Sequence, residues 1–347
     1  MVNSRNEYAE EVEKDTINRG EYYHGIVDFL QGEKIRVKNQ RETKFTPEEY
    51  KKNSEFYRGE LIKMLGFPLT QKRGKTALLE KKFVARDKNV NIYRVRLSSV
   101  GEIPFYGLYF EQIDEKHKKP FVLCFHGAEG TPELISGIYM DSANYNHIVR
   151  RLTDYGANVF VPQFLLWNIQ RYGNPYNRLH IDGKLRQLGG SITALELSLL
   201  CGALDYFIAD EKIDSQKIGV VGLSYGGMYA LHLAAVDTRI KSCYSCSWVC
   251  DGFEHSFADW SYYNAQYISS TVETAACISP RPLVIAMGNK DELFHWETTE
   301  RIGQQVRKFY QAFDKDNNLK VCIFDGNHEM NKEDDSLIFF LTQLVGR

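Results

Sequence analysis

Gly222-Leu223-Ser224-Tyr225-Gly226 stands between an apolar run, Lys217 to Leu223, and a helix-forming run that continues to Ala235. A serine two residues from a glycine on either side, at the junction of a buried strand and a buried helix, has the pattern of a nucleophile elbow. The turn is sharp and strained. The glycines let the backbone approach closely, the hydroxyl projects above the strand end, and the helix N-terminus behind it favours negative charge. A neutral serine is a weak nucleophile and needs a base, and the base needs an orienting acid. On a turn of this kind the partners follow in the order serine, acid, histidine.

Four histidines lie downstream of Ser224: His232, His255, His295 and His328. His232 falls within the helix of the serine itself, and His295 comes too early for the order. His255 lies in an insertion. His328, in "FDGNHEM", directly follows the last apolar strand, "KVCIFDG", and is the expected general base. The acid should follow the penultimate strand, "PLVIAMG", which makes Asp291 in "NKDELF" the candidate; Glu292 is its main rival and Asp251 a weaker one. A helix cap is the structural reading of Asp291. A tetrahedral intermediate also needs donors for its oxyanion. The backbone N–H of Tyr225 is one, and the N–H of Ala128, in the "HGAEG" loop after "FVLCF", is the other. The His126 side chain reads as a pin for that loop.

These residues require a scaffold that brings strand ends together. From Lys82 to about Ile113 short alternating runs predict antiparallel strands, and after that fully apolar strands alternate with helices. That rhythm predicts a mostly parallel sheet covered on both faces. Residues 1–80 carry no strand signal and read as a helical N-terminal extension, packed on the catalytic domain of residues 81–347 or swapped onto a partner chain. Within the extension, Thr46, Pro47, Glu48 and Glu49 form a helix start, and Tyr57, Leu61, Ile62 and Leu65 share an inward face. Leu166 to Gly190 reads as a long irregular loop at a strand end.

The 347 residues are 43% hydrophobic and 13% aromatic, enough for one large core. Lysine and arginine number 43 against 45 acidic residues, a net charge of −2, which gives no reason to expect a nucleic-acid partner. No apolar run reaches the roughly 18 residues of a membrane span, and the polar, acidic N-terminus lacks a secretion signal, so a cytoplasmic location is expected. The internal "KDEL", Lys290 to Leu293, is not a terminal retention signal. Seven cysteines in a chain of this size read as reduced thiols. Cys243, Cys246 and Cys250 have metal-like spacing, yet on a strand Cys243 and Cys246 point to opposite faces, so no metal is expected there. Asp314, Asp316 and Asn318 mimic the start of a calcium loop, but its sixth position, which needs glycine, is Leu319.

Together, "FHGAEG", "DYFIADEKIDSQKIGVVGLSYGG", "SPRPLVIAMGNKDELF" and "FDGNHEM" resemble the α/β-hydrolases of the dienelactone-hydrolase and acetyl-xylan-esterase-like group, over roughly Phe121 to Arg347. The resemblance implies an α/β-hydrolase fold and an ester hydrolase acting on a small or carbohydrate-borne acyl ester. Dienelactone hydrolases proper carry cysteine where this chain has Ser224, which argues against that substrate. "SYGG" is also similar to the elbow of prolyl-oligopeptidase-type peptidases, so a peptidase or amidase is the alternative, and a catalytically inactive binding module is a third reading. The serine mechanism calls for no cofactor and no metal, and association into a homo-oligomer stays open. Aromatic residues crowd two loops, and Trp167, Tyr172, Trp248 and Trp260 are candidates for a substrate pocket.

Overall fold

The computed structural model describes residues 12–114, 117–138, 141–166, 177–256 and 258–345. Nine strands form one sheet in the order β1-β2-β3-β5-β4-β6-β7-β8-β9. They are β1 Ala77–Asp87, β2 Val90–Ser98, β3 Phe105–Gln112, β4 Lys119–Phe125, β5 Asn158–Pro162, β6 Ile213–Leu223, β7 Ser242–Cys246, β8 Leu283–Gly288 and β9 Leu319–Phe324. The first three strands pair antiparallel, and β3 meets β5 antiparallel. From β5 across to β9 every pairing is parallel. The change of direction falls where the sequence changes from alternating to continuous apolar runs.

The helices in chain order are α1 Val12–Lys44, α2 Pro47–Leu65, α3 Pro132–Ser136, α4 Ile148–Asp154, α5 Arg178–Gln187, α6 Ile192–Phe207, α7 Tyr225–Val236, α8 Ala265–Ile268, α9 Thr271–Ala276, α10 Trp296–Ala312 and α11 Asp335–Val345. Two apolar layers sandwich the sheet. Phe121, Leu123 and Phe125 of β4 face a core shared with α2, α6, α7 and α10. The alternate residues Val122 and Cys124 face a second core with α4 and α11. Period-two alternation of buried side chains is what a strand covered on both faces requires. Cys243 joins the first core and Cys246 the second, so these two thiols point apart.

Helix α2 is part of this packing. Thr46 caps it by accepting a hydrogen bond from the Glu49 N–H at 3.2 Å, and Pro47 fills the first turn. Tyr50, Leu61, Met64 and Leu65 are buried in the first core, while Tyr57 and Ile62 are partly buried against it. The Arg58 guanidinium, itself buried, donates to the Cys277 carbonyl at 3.1 Å. Leu61→Ala should therefore cost about 2–5 kcal/mol of stability, read from denaturant unfolding; a loss near zero would mean that α2 is not seated on the sheet domain. Helix α1 braces the insertion after β7. Lys34 pairs with Asp251 at 3.1 Å, and Arg41 pairs with Glu273 at 3.0 Å with both side chains almost wholly buried.

Part of the stretch expected to be one irregular loop is helical. In α5 the Asn177 side chain accepts from the His180 N–H at 2.9 Å, and Arg186 donates to Asp182 one turn earlier at 2.6 Å. A cap and an i,i+4 ion pair support a helix that the polar composition and Gly183 conceal in the sequence. Among the described residues no helix is long and apolar enough to cross a membrane.

Candidate active site

Ser224 sits between β6 and α7 with φ 59° and ψ −123°, backbone angles that a non-glycine residue holds only when its surroundings over-determine them. Its N–H donates to the Cys246 carbonyl at 2.9 Å, and its own carbonyl accepts from Met228 at 3.0 Å. The flanking glycines are required by close approach. A Cβ on Gly222 would lie 2.1 Å from the Gly226 carbonyl oxygen, and one on Gly226 would lie 2.2 Å from the Phe125 carbonyl oxygen. The loop after β4 passes directly beside the serine, since a Cβ on Gly127 would stand 3.0 Å from the Ser224 Cβ and 3.6 Å from its Oγ.

His126 fixes that loop. It is fully buried, and burial pushes its imidazole down to about 4, so the ring is neutral. With Nδ1 donating to the Gly127 carbonyl at 2.8 Å, Nε2 accepts the Phe164 N–H at 3.1 Å. The Gly127 N–H in turn donates to the Tyr145 hydroxyl at 3.0 Å. The next residue, Ala128, is thereby held at the end of β4 alongside the elbow.

His328 Nδ1 lies 2.8 Å from Asp291 Oδ2. The Asp291 side chain is fully buried, whereas the imidazole remains about one-fifth exposed, at 19%. Asp291 Oδ1 accepts the N–H groups of Leu293 at 2.9 Å and Phe294 at 3.0 Å. Burial pushes its carboxyl up, but the His328 hydrogen bond and charge, with these two N–H groups, outweigh that and hold it below its usual value. The two loops are zipped together: Asn289 N–H donates to the Phe324 carbonyl at 2.9 Å and Lys290 N–H to that of Gly326 at 2.9 Å.

Cys246 connects this pair to the serine. Its carbonyl accepts the Ser224 N–H, and its Sγ lies 3.3 Å from the carbonyl of Glu329, the residue after His328. Burial pushes the Cys246 thiol up to about 12, so it is protonated and donates that bond. An aromatic chain makes a second link: the Tyr225 and Trp248 ring centroids are 6.4 Å apart, Trp248 and Phe294 6.0 Å, and Phe294 and His328 5.9 Å.

The other candidates are occupied elsewhere. Glu292 and His295 are exposed. Asp251 is paired with Lys34. His232 is buried with Nδ1 2.9 Å from the Met228 carbonyl, and burial holds its imidazole down near 4. Trp248 and Trp260 pack edge-to-face with centroids 4.3 Å apart, both against Tyr225. They line a cavity of about 610 Å³ whose lining does not include Ser224 or His328. Trp167 and Tyr172 lie outside the described residues. Among the described residues no group of three or more His, Cys, Asp or Glu is arranged to hold a metal ion.

Asn144 and Asn146 were not singled out from the sequence. Asn144 Nδ2 donates to the His328 carbonyl at 3.0 Å, and the Asn144 carbonyl accepts the Met330 N–H at 2.8 Å. Asn146 Nδ2 donates to the Glu329 carboxylate at 2.9 Å. Together they latch the histidine loop to the segment before α4. The only signal in the sequence is a pair of asparagines, which reads equally well as a turn.

The sheet order, the parallel strand ends and the elbow define an α/β-hydrolase. The model of the dienelactone hydrolase family matches residues 109–329, more than half of the chain, and the chain belongs to that family. In sequence it is 31% identical over 117 residues to YtaP of Bacillus subtilis, named as a hydrolase, a match covering 31% of this chain and 39% of that protein. It is 27% identical over 137 residues to acylamino-acid-releasing enzyme 2 of rice, covering 40% of this chain and 15% of the rice protein. The chain therefore spans well under half the length of either relative. A Bacteroides fragilis structure described as an acetyl xylan esterase superposes with a TM-score of 0.66 at 15% identity, covering 87% of this chain and 88% of that one. At that identity the likeness is one of fold.

Proposed function

We propose that this protein is a serine hydrolase of carboxylic esters, acting on a small or carbohydrate-borne acyl ester. The observation that carries the reading is the 2.8 Å bond between His328 Nδ1 and a buried Asp291 carboxylate, on a loop that Cys246 ties to a serine on a strained strand-helix turn. With Nδ1–H donated to Asp291, Nε2 is the basic nitrogen. It takes the proton as Ser224 Oγ attacks the ester carbonyl, then gives that proton to the leaving alcohol. Water, activated in the same way, attacks the acyl-enzyme; Ser224 recovers its proton from His328 and the carboxylic acid departs. The N–H groups of Tyr225 and Ala128 donate to the oxyanion in both halves. Family membership and the fold likeness to an acetyl xylan esterase support the ester class.

The partial match to a rice acylamino-acid-releasing enzyme favours amide cleavage as the second reading. Turnover of paired ester and amide substrates with the same acyl group separates the two, and a graded acyl series finds the acyl size. Faster amide than ester turnover would reverse the order proposed. Activity should also fall on acidification, as the base takes up a proton and can no longer accept one from Ser224. A rate that stays flat from about pH 8 to pH 4 would rule out a histidine base.

A further inference from the structure

Behind the elbow lies a cluster of charges that the reaction above does not use. The Arg178 side chain is 2% exposed, and its Nε donates to Asp259 Oδ2 at 2.7 Å while Nη1 donates to Glu196 Oε2 at 2.9 Å. Its Nη2 donates to the Tyr229 hydroxyl at 2.7 Å, and that hydroxyl donates to Glu196. Glu196 is 3% exposed and Asp259 1%. The cluster holds one cation against two carboxylates and draws on α5, α6, α7 and the insertion after β7. It also fixes Leu165, whose N–H donates to Glu196 at 2.7 Å and whose carbonyl accepts from Arg178 at 2.9 Å.

The contact that matters is with Tyr225. Its hydroxyl stands 3.1 Å from each oxygen of Asp259. Its ring is buried, with the Arg178 guanidinium 5.7 Å from the centroid and the Trp260 ring 5.0 Å away. Tyr225 is the residue after the nucleophile of the proposed reaction, and the Ser224 N–H before it is anchored on the Cys246 carbonyl at 2.9 Å. Replacing buried ionic groups by apolar residues of similar volume is often neutral or stabilising, so stability alone does not account for the cluster.

We propose that Asp259, set by Arg178 and Glu196, is a positioning residue that grips the Tyr225 side chain and so fixes the Tyr225 backbone N–H as an oxyanion donor. The inference rests on the ester-hydrolase reading. Misplacing a donor by a fraction of an ångström weakens the transition state more than bound substrate, so kcat should fall while KM holds.

Tyr225→Phe removes one oxygen and keeps the ring; Asp259→Asn keeps the shape and removes the charge. Turnover of an ester should be measured per active serine, counted by titration with a fluorophosphonate. Both variants are expected to lose about 10- to 100-fold in kcat, with KM changed by less than about two-fold. A boronic acid, whose tetrahedral adduct places an oxygen in the oxyanion site, should bind more weakly by the factor lost in kcat/KM. The double variant should lose no more than Tyr225→Phe alone, because Tyr225→Phe removes the contact that Asp259→Asn weakens. Wild-type kcat per titrated serine in Tyr225→Phe, even with a lowered melting temperature, would overturn the inference and leave only a structural role. If Asp259→Asn does not fold, Tyr225→Phe decides alone. Ser224→Ala, run alongside, separates the two levels: a variant that still turns over ester would sink the assignment of Ser224 as nucleophile, on which the reading of Tyr225 N–H as an oxyanion donor depends, and the inference with it.

Discussion

Ser224→Ala should lower ester turnover by about 10⁶-fold while leaving the melting temperature close to wild type. The size of the loss follows from what the residue does. In the proposed mechanism every other part of the site serves an attack by this one oxygen: His328 has no proton to take without it, and the oxyanion donors meet no intermediate. The small effect on stability follows from the side chain's surroundings. Ser224 is anchored through its backbone, by its N–H to Cys246 and its carbonyl to Met228, and both bonds survive the substitution. The positive φ is kept as well, since alanine has the same Cβ, and the mutation deletes only a hydroxyl. Retained turnover, or loss of activity accompanied by unfolding, would each contradict this.

Asp291→Asn should cost about 10⁴-fold in kcat, the second largest loss. In the proposed mechanism the carboxylate accepts the Nδ1 proton and so leaves Nε2 free to act as base. An amide in the same place can turn its NH₂ toward Nδ1, which reverses the tautomer and puts the proton on the nitrogen that must accept one. The neighbouring Glu292→Gln should change kcat little, because Glu292 is exposed and His328 bonds to Asp291. The reverse ranking of the two variants would move the acid by one residue.

Asp291 also links pH to stability, with a definite sign. Its carboxyl is held below its usual value in the folded protein, so it favours folding wherever the unfolded carboxylate is already ionised. That contribution is present above about pH 4 and is lost as pH falls through the depressed value. It is absent from Asp291→Asn at every pH. The variant should therefore lie below wild type in stability at neutral pH and approach it in acid, as followed by melting temperature across pH.

The parts of this site that could be read from the sequence are those written in contiguous residues. "GLSYG" encodes a turn whose glycines answer to contacts within five positions, and "MGNKDELF" and "FDGNHEM" each follow directly on an apolar strand. Strand ends of a parallel sheet share one edge, so the order of the motifs along the chain was enough to bring them near each other. The change from antiparallel to parallel strands was legible for the same reason. Arg178, Glu196 and Asp259 were not legible: they lie in three separate segments, and each looks like an ordinary surface charge until burial shows otherwise. The Asn144 and Asn146 latch is hidden in the same way, because it joins residues more than 180 positions apart. The helix α5 was missed because a polar surface helix with a central glycine has little apolar period to detect. Composition makes Trp248 and Trp260 candidates for pocket walls; that they line a cavity and also pack against Tyr225 is a long-range fact that composition does not carry.

The most direct test of the catalytic assignment is covalent labelling with a fluorophosphonate, followed by mass spectrometry of the peptides. The expected result is a single phosphonate adduct on Ser224, formed rapidly in the wild type and at a greatly reduced rate in His328→Ala. An adduct on another residue, or labelling of Ser224 at an unchanged rate without the imidazole, would contradict a serine activated by His328.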